Sequence, residues 1–208
     1  MIYRIETERL VIRCWEPYDA PLLKEAVDVS VDHLLPWLPW AKDEPQTIDE
    51  KVELLRRFRA RFDRDEDYVL GIFDREEEKA LGGTGWHNRH GKRETEIGYW
   101  VRADRAREGI ASESTAALVK AGFEVLGLHR IEIRCDPENH ASVAIPRNLG
   151  FRHDATLPKR MLALMEEPRD TMVWSLFRED YPYTPAATAQ IEAFDVIGRP
   201  VELVPVDM

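Results

Sequence analysis

Residues 101–128 read VRADRAREGIASESTAALVKAGFEVLGL, and the fold turns on how this stretch is parsed. Ile97, Gly98, Tyr99, Trp100 and Val101 read as the end of a strand, and an arginine-rich turn then leads to Gly109. Beyond the glycine, apolar or small residues recur at Ile110, Ser114, Leu118, Ala121, Val125 and Leu128, which is helical spacing and not strand spacing. Gly127 stands where a left-handed C-terminal cap is expected. The first turn of a helix offers free N–H groups and the positive end of the dipole, and a glycine there lets a ligand approach without a Cβ in the way. The stretch is therefore expected to form a strand–loop–helix cradle for a pyrophosphate. Arg102, Arg105 and Arg107 would be its charge partners, with Glu108, Gly109, Ile110, Ala111 and Ser112 lining it. An ordinary helix with a solvated basic turn is the competing reading. A Walker-type loop does not fit, since Gly-Lys-Ser/Thr is absent, and neither does a Gly-x-Gly-x-x-Gly dinucleotide turn.

Composition limits what surrounds the cradle. A chain of 208 residues, 44% hydrophobic and 33% charged, suffices for one globular domain with a full core. A formal charge of −10 argues against nucleic acid as a partner, which would demand a basic surface. Cys14 and Cys135 make no disulfide framework. His87, His90, His129, His140 and His153 show no ligand spacing, so no metal is expected. No apolar run approaches ~20 residues and the amino end carries no signal-peptide pattern, so no membrane partner and a cytoplasmic location are expected.

In chain order, residues 5–15 alternate as one strand, and a helix runs from near Asp19 to about Val29. Pro36-Trp37 and Pro39-Trp40 make a stiff loop whose tryptophans either wall a pocket or plug the edge of the core. Thr47-Ile48-Asp49-Glu50 is a capping box, opening a helix with Ile48, Val52, Leu55, Phe58 and Phe62 on one face. Three strands follow, at 68–73, 81–86 and 94–101. Gly82, Gly83 and Gly85 in the second suggest a bulge or a close backbone approach. After the cradle helix come a strand at 129–135, a helix capped by Asn139 and two further strands. A boundary is expected near 180. The tail beyond it, 181–208, either packs back on the sheet, crosses to a partner chain as in a homodimer, or stays mobile.

Gly109-Ile110-Ala111 followed by Ser112-Glu113 resembles the acyl-CoA-binding motif of the GNAT superfamily of N-acetyltransferases. The motif's leading Gln/Arg falls on Ala106, with Arg105 and Arg107 on either side. Glu6-Thr7-Glu8-Arg9-Leu10, Trp37-Leu38-Pro39-Trp40, Glu96-Ile97-Gly98-Tyr99-Trp100, Asn139 with Ser142, and Ala144-Ile145-Pro146-Arg147-Asn148-Leu149-Gly150-Phe151 extend the likeness over roughly residues 5–178. Their order and spacing resemble the RimJ/RimL-type, ribosomal-protein N-terminal acetyltransferase branch. The resemblance implies an α/β (α+β) GNAT fold, with a mixed central sheet flanked by helices over 1–180. Its acyl-CoA cleft would lie between two splayed parallel strands, 94–101 and 129–135. It implies acetyl-CoA as co-substrate, held partly by the backbone of Trp100 and Val101 and by Asn139 and Ser142. The acceptor would be a primary amine, such as a protein N-terminus, with Trp37, Trp86 and His87 on the acceptor side.

Acyl transfer from a thioester to an amine needs a neutral amine, a stabilised oxyanion and a proton for the leaving thiolate. Glu96 is the expected base, with Glu94 behind it, and a backbone N–H of a distorted strand near Trp100 the expected oxyanion donor. The family's usual acid tyrosine falls on Pro146, so the acid role passes to Ser142. Pro146 also leaves the Ser142 carbonyl without its helical N–H partner. Small amines, such as a polyamine or an aminoglycoside, are the alternative acceptors. A non-catalytic acyl-CoA sensor is the alternative from another functional class.

Overall fold

The strand expected over residues 5–15 is two strands. In the computed structural model, which describes residues 2–88, 91, 93–162 and 167–207, Thr7 folds the chain back. Thr7 N–H donates to the Leu10 carbonyl and Leu10 N–H to Thr7 Oγ1, so β1 (Arg4–Glu6) and β2 (Leu10–Cys14) pair antiparallel. Alternation alone missed this turn because Ile5 and Leu10 both bury their side chains on either side of it.

Next come α1 (Ala20–Asp28), α2 (Val31–Leu34) and α3 (Ile48–Asp63). The capping box at the head of α3 is formed, with Thr47 accepting from Glu50 N–H and the Glu50 carboxylate accepting from Thr47 N–H. Strands β3 (Tyr68–Asp74), β4 (Ala80–His87) and β5 (Glu94–Val101) follow, then α4 (Ile110–Glu124), β6 (Arg130–Cys135), α5 (His140–Asn148), β7 (Arg152–Leu162), β8 (Pro168–Phe177) and β9 (Glu192–Phe194). They build one mixed sheet of nine strands in the order β7-β8-β6-β5-β4-β3-β2-β1-β9. The only parallel neighbours among them are β5 and β6, as a strand–helix–strand crossover requires.

Helix α4 covers one face of the sheet. Its Ala117, Leu118, Ala121 and Phe123 are fully buried with Ile97, Ile131 and Ile133, and a buried Leu or Phe contributes roughly 1.5–3 kcal/mol. Helices α1 and α3 cover the other face, where Leu23, Val27 and Leu55 pack on Val11 and Phe73. Helix α4 ends at Glu124 rather than Leu128, with Gly127 left-handed beyond it at φ 63°. The tail packs back: β9 extends the sheet beside β1, and Val204 N–H donates to the Glu124 carbonyl. Gly82 is the close approach its neighbours foretold, since a Cβ there would stand 2.1 Å from the Trp100 carbonyl oxygen.

Candidate active site

Strands β5 and β6 pair only at Glu94↔Arg130, Thr95↔Ile131 and Glu96↔Glu132, and beyond that register they part. The opening therefore begins at Glu96 and continues along Ile97–Val101, the splay expected from the sequence. The distortion expected near Trp100 is absent. β5 keeps an unbroken register with β4 from Gly82↔Val101 to His87↔Glu96, so the backbone groups at the cleft are freed by the missing β6 partner and not by a bulge.

The two faces of β5 differ because side chains alternate. Ile97, Tyr99 and Val101 face α4 and its core, whereas Trp100 packs toward α1 and α3. Glu96 shares the Trp100 face. Arg134 of β6 brings its Nε to 3.6 Å from Glu96 Oε2, and Arg130, Glu94, Glu132 and Arg134 form one charged ladder there. On the α4 face, the Tyr99 hydroxyl lies 3.1 Å from both the carbonyl oxygen and Oγ of Ser142. Tyr99 thus supplies the hydrogen bond that Pro146 denies the Ser142 carbonyl. A phenol has one proton; with it given to that carbonyl, the Ser142 hydroxyl is the donor of the 3.1 Å contact with the Tyr99 oxygen. Burial pushes the Tyr99 phenol well above its ordinary pKa, so it stays a donor. Asn139 Oδ1 caps α5 by accepting from Ser142 N–H at 3.1 Å, which fixes where that serine stands.

The candidate cradle has the strand–loop–helix form. Gly109 is the N-cap of α4 at φ 82°, and no side chain caps the first turn. Arg107 is also left-handed, at φ 67°, a conformation costing a non-glycine residue about 1 kcal/mol or more. Ile110 is buried, so only its backbone can meet a ligand, while Ala111 and Ser112 are half-buried. Arg107 is exposed, and Arg105 is held by Glu108 in a half-exposed pair at 2.9 Å, worth at most ~1 kcal/mol and easily exchanged for a phosphate. Arg102 is a correction. It is buried, donating to Asp104, Glu25 and the Ala80 carbonyl, and holds the β5 end to α1 instead of facing the cradle. Arg9, which had no assigned role, sits on the loop: its Nη1 donates to the Glu108 carbonyl, and both Arg9 and Thr7 bond Glu113 of α4. The Thr7 turn thus braces the cradle.

On the acceptor side Trp86 is the second correction. It is 2% exposed, with its indole N–H donating to the Leu118 carbonyl under α4, because position 86 faces the core and not the groove. The tryptophan loop does not plug the core, since Trp37 is only half-buried and Trp40 is exposed. Trp40 meets Trp100 edge-on at 5.9 Å, and Arg169 of β8 lies 5.0 Å over Trp37 while bonding the Pro36 carbonyl and Asp136. His87 stands across from Glu96 in the β4–β5 register. His90 lies outside the described residues, and among those described no group of His, Cys, Asp and Glu has the geometry to hold a metal ion. No helix among the described residues is long and apolar enough to cross a membrane.

Comparison with known proteins agrees with this arrangement. The Acetyltransferase (GNAT) domain family matches residues 9–152. An uncharacterized N-acetyltransferase of Bacillus subtilis, YoaA, is 28% identical over 175 residues, covering 84% of this chain and 96% of its own. The [ribosomal protein uS5]-alanine N-acetyltransferase of Escherichia coli is 24% identical over 184 residues, covering 86% and 92%. Mycobacterium smegmatis RimJ, solved in complex with CoA-disulfide, superposes with a TM-score of 0.74 at 26% identity, covering 89% of this chain and 90% of its own. With the splayed strands, the glycine-opened helix and a family match over more than half its length, the chain belongs to the GNAT family of acetyltransferases.

Proposed function

We propose that this protein transfers the acetyl group of acetyl-CoA to the α-amine of a protein or peptide N-terminus. The observation that carries the reading is the segregation at the splay: Glu96 on one face of β5, and Tyr99 with Ser142 on the other. Acetyl-CoA supplies an activated acyl group. The residues present fit it, since the uncapped first turn of α4, the left-handed Gly109 and the exchangeable Arg105 suit a pyrophosphate. Glu96 takes a proton from the incoming amine, the cleft edge of β5 offers backbone N–H groups to the oxyanion, and the Ser142 hydroxyl, oriented by Tyr99, serves the departing thiolate. A base and an acid on opposite sides of one opening favour turnover over a sensor role.

The acceptor follows from the proton that the amine must lose. At pH 7 neutralising an α-amine of pKa about 8 costs ~1.4 kcal/mol, against ~4.6 for a lysine side chain of about 10.4. The name borne by the Escherichia coli relative, a ribosomal-protein alanine N-acetyltransferase, points the same way. The test is thiol release from acetyl-CoA with peptides bearing a free α-amine, peptides blocked at the amino end but carrying lysines, and polyamines. Free peptides should be the good acceptors. Blocked peptides or polyamines reacting equally well would overturn the α-amine assignment.

A further inference from the structure

We propose that His87, held by Asp67, is a second proton acceptor for the acceptor amine, working beside Glu96. This rests on the amine-acetylation reading above. Three observations place the imidazole. Its Nδ1 lies 2.8 Å from Asp67 Oδ1, and Arg61 lies 3.2 Å from the other oxygen of that carboxylate. A Cβ built on Gly98 would stand 3.2 Å from His87 Nε2, so the free edge of the ring lies over Gly98, on the face of β5 that carries Glu96 and Trp100. The side chain is 22% exposed, so the ring is not sealed from solvent.

The tautomer follows from the partner. A carboxylate beside an arginine only accepts, so Nδ1 must carry the proton, and the neutral ring then presents a lone pair at Nε2. No partner for Nε2 is found among the described residues. The glycine at 98 keeps that edge uncovered exactly where the opening between β5 and β6 has begun, two residues past Glu96.

The chemistry calls for two acceptors. An ammonium R–NH3+ enters and an amide R–NH–CO–CH3 leaves, so nitrogen loses two protons. The first must leave before the nitrogen lone pair can form the N–C bond. The second leaves as the C–S bond breaks, when sulfur keeps the bonding pair and takes a proton from the Ser142 side. One proton ends on the thiol and one in solvent. Glu96 accounts for one acceptance, and His87 Nε2 for the other, its imidazolium stabilised by Asp67. Among the described residues, the charged groups facing the ring are Asp67, with Arg61 behind it, from the α3–β3 side, and Glu96, with Arg134 beyond it, from β5 and β6.

His87→Asn keeps a donor near Nδ1 for Asp67 but removes the acceptor at Nε2. It should lower kcat with a free-amine peptide by ~10²-fold, within the range for a lost acid or base, while leaving the thermal shift on adding acetyl-CoA unchanged. Asp67→Asn should lose less and move the acid limb of the kcat/KM–pH profile to lower pH, because an amide does not stabilise the imidazolium. His87→Gln is the replacement if His87→Asn lowers the melting temperature. Turnover within threefold of the parent, a loss confined to acceptor KM, or an unmoved limb in Asp67→Asn would each overturn the proposal. If none of the amines makes the parent release thiol, the proposed function fails first and takes this role with it. Normal turnover in both the parent and the His87 variants would fail this role alone.

Discussion

The two faces of β5 carry opposite chemistry within one eight-residue strand. One presents Thr95, Ile97, Tyr99 and Val101 to a close-packed, mostly apolar layer, at whose margin the Tyr99 hydroxyl meets Ser142. The other presents Glu94, Glu96, Gly98 and Trp100 to a charged ladder and a glycine-bared floor. Deprotonating an amine and protonating a thiolate are contrary demands, and side by side the groups serving them would neutralise each other. A strand's period of two would hold the proposed base and acid apart by the thickness of a sheet, with the splay as the opening between them.

The comparison breaks most sharply at Ser142. Ser142→Ala should lower kcat by about 10²–10⁴-fold with little change in acetyl-CoA affinity. Tyr99→Phe should cost less, because it frees Ser142 without removing its hydroxyl. Single-turnover acetylation read by mass spectrometry separates the two. A Tyr99→Phe loss equal to that of Ser142→Ala would make the phenol the donor.

At the cradle, acetyl-CoA at 100 times its dissociation constant should stabilise the protein by ~2.7 kcal/mol. Gly109→Val should remove most of this shift, since φ 82° is closed to a β-branched residue. A full shift in that variant, measured by thermal melting, would put the ligand elsewhere.

The arginines sharpen the contrast between structural and binding charge. Arg102→Ala should cost about 2 kcal/mol of unfolding free energy by orphaning the Ala80 carbonyl and breaking its charged hydrogen bonds. Arg105→Ala should leave denaturant stability within ~0.5 kcal/mol and weaken acetyl-CoA binding several-fold, more at low salt. Equal loss of stability in both would erase the distinction.

The smallest effect belongs to Cys135. Burial pushes its thiol up to about 11, so at pH 8 only about one molecule in a thousand is thiolate. Iodoacetamide should leave it unmodified in the native protein over hours. Rapid alkylation would show that the sheet's α4 face opens further than its packing suggests.

What the sequence determined by itself is local. The helix after Gly109, the Thr47–Glu50 box and the Asn139 cap are all set by residues a few positions apart, and each formed where it was read. Even the orphaned Ser142 carbonyl was legible, because a proline's missing N–H is a covalent fact. The donor that meets it was not, since Tyr99 is 43 residues away. Nor were Thr7 and Arg9 on Glu113, 106 and 104 residues apart, or Asp67 behind His87. Periodicity tells which face a side chain takes but not what stands opposite, and opposition is decided when strands choose neighbours. Trp86 and Arg102 show the same limit. Nothing local distinguishes a groove tryptophan from a core one, or a phosphate-facing arginine from one buried against α1; only the depth at which the finished sheet and helices leave each side chain does so.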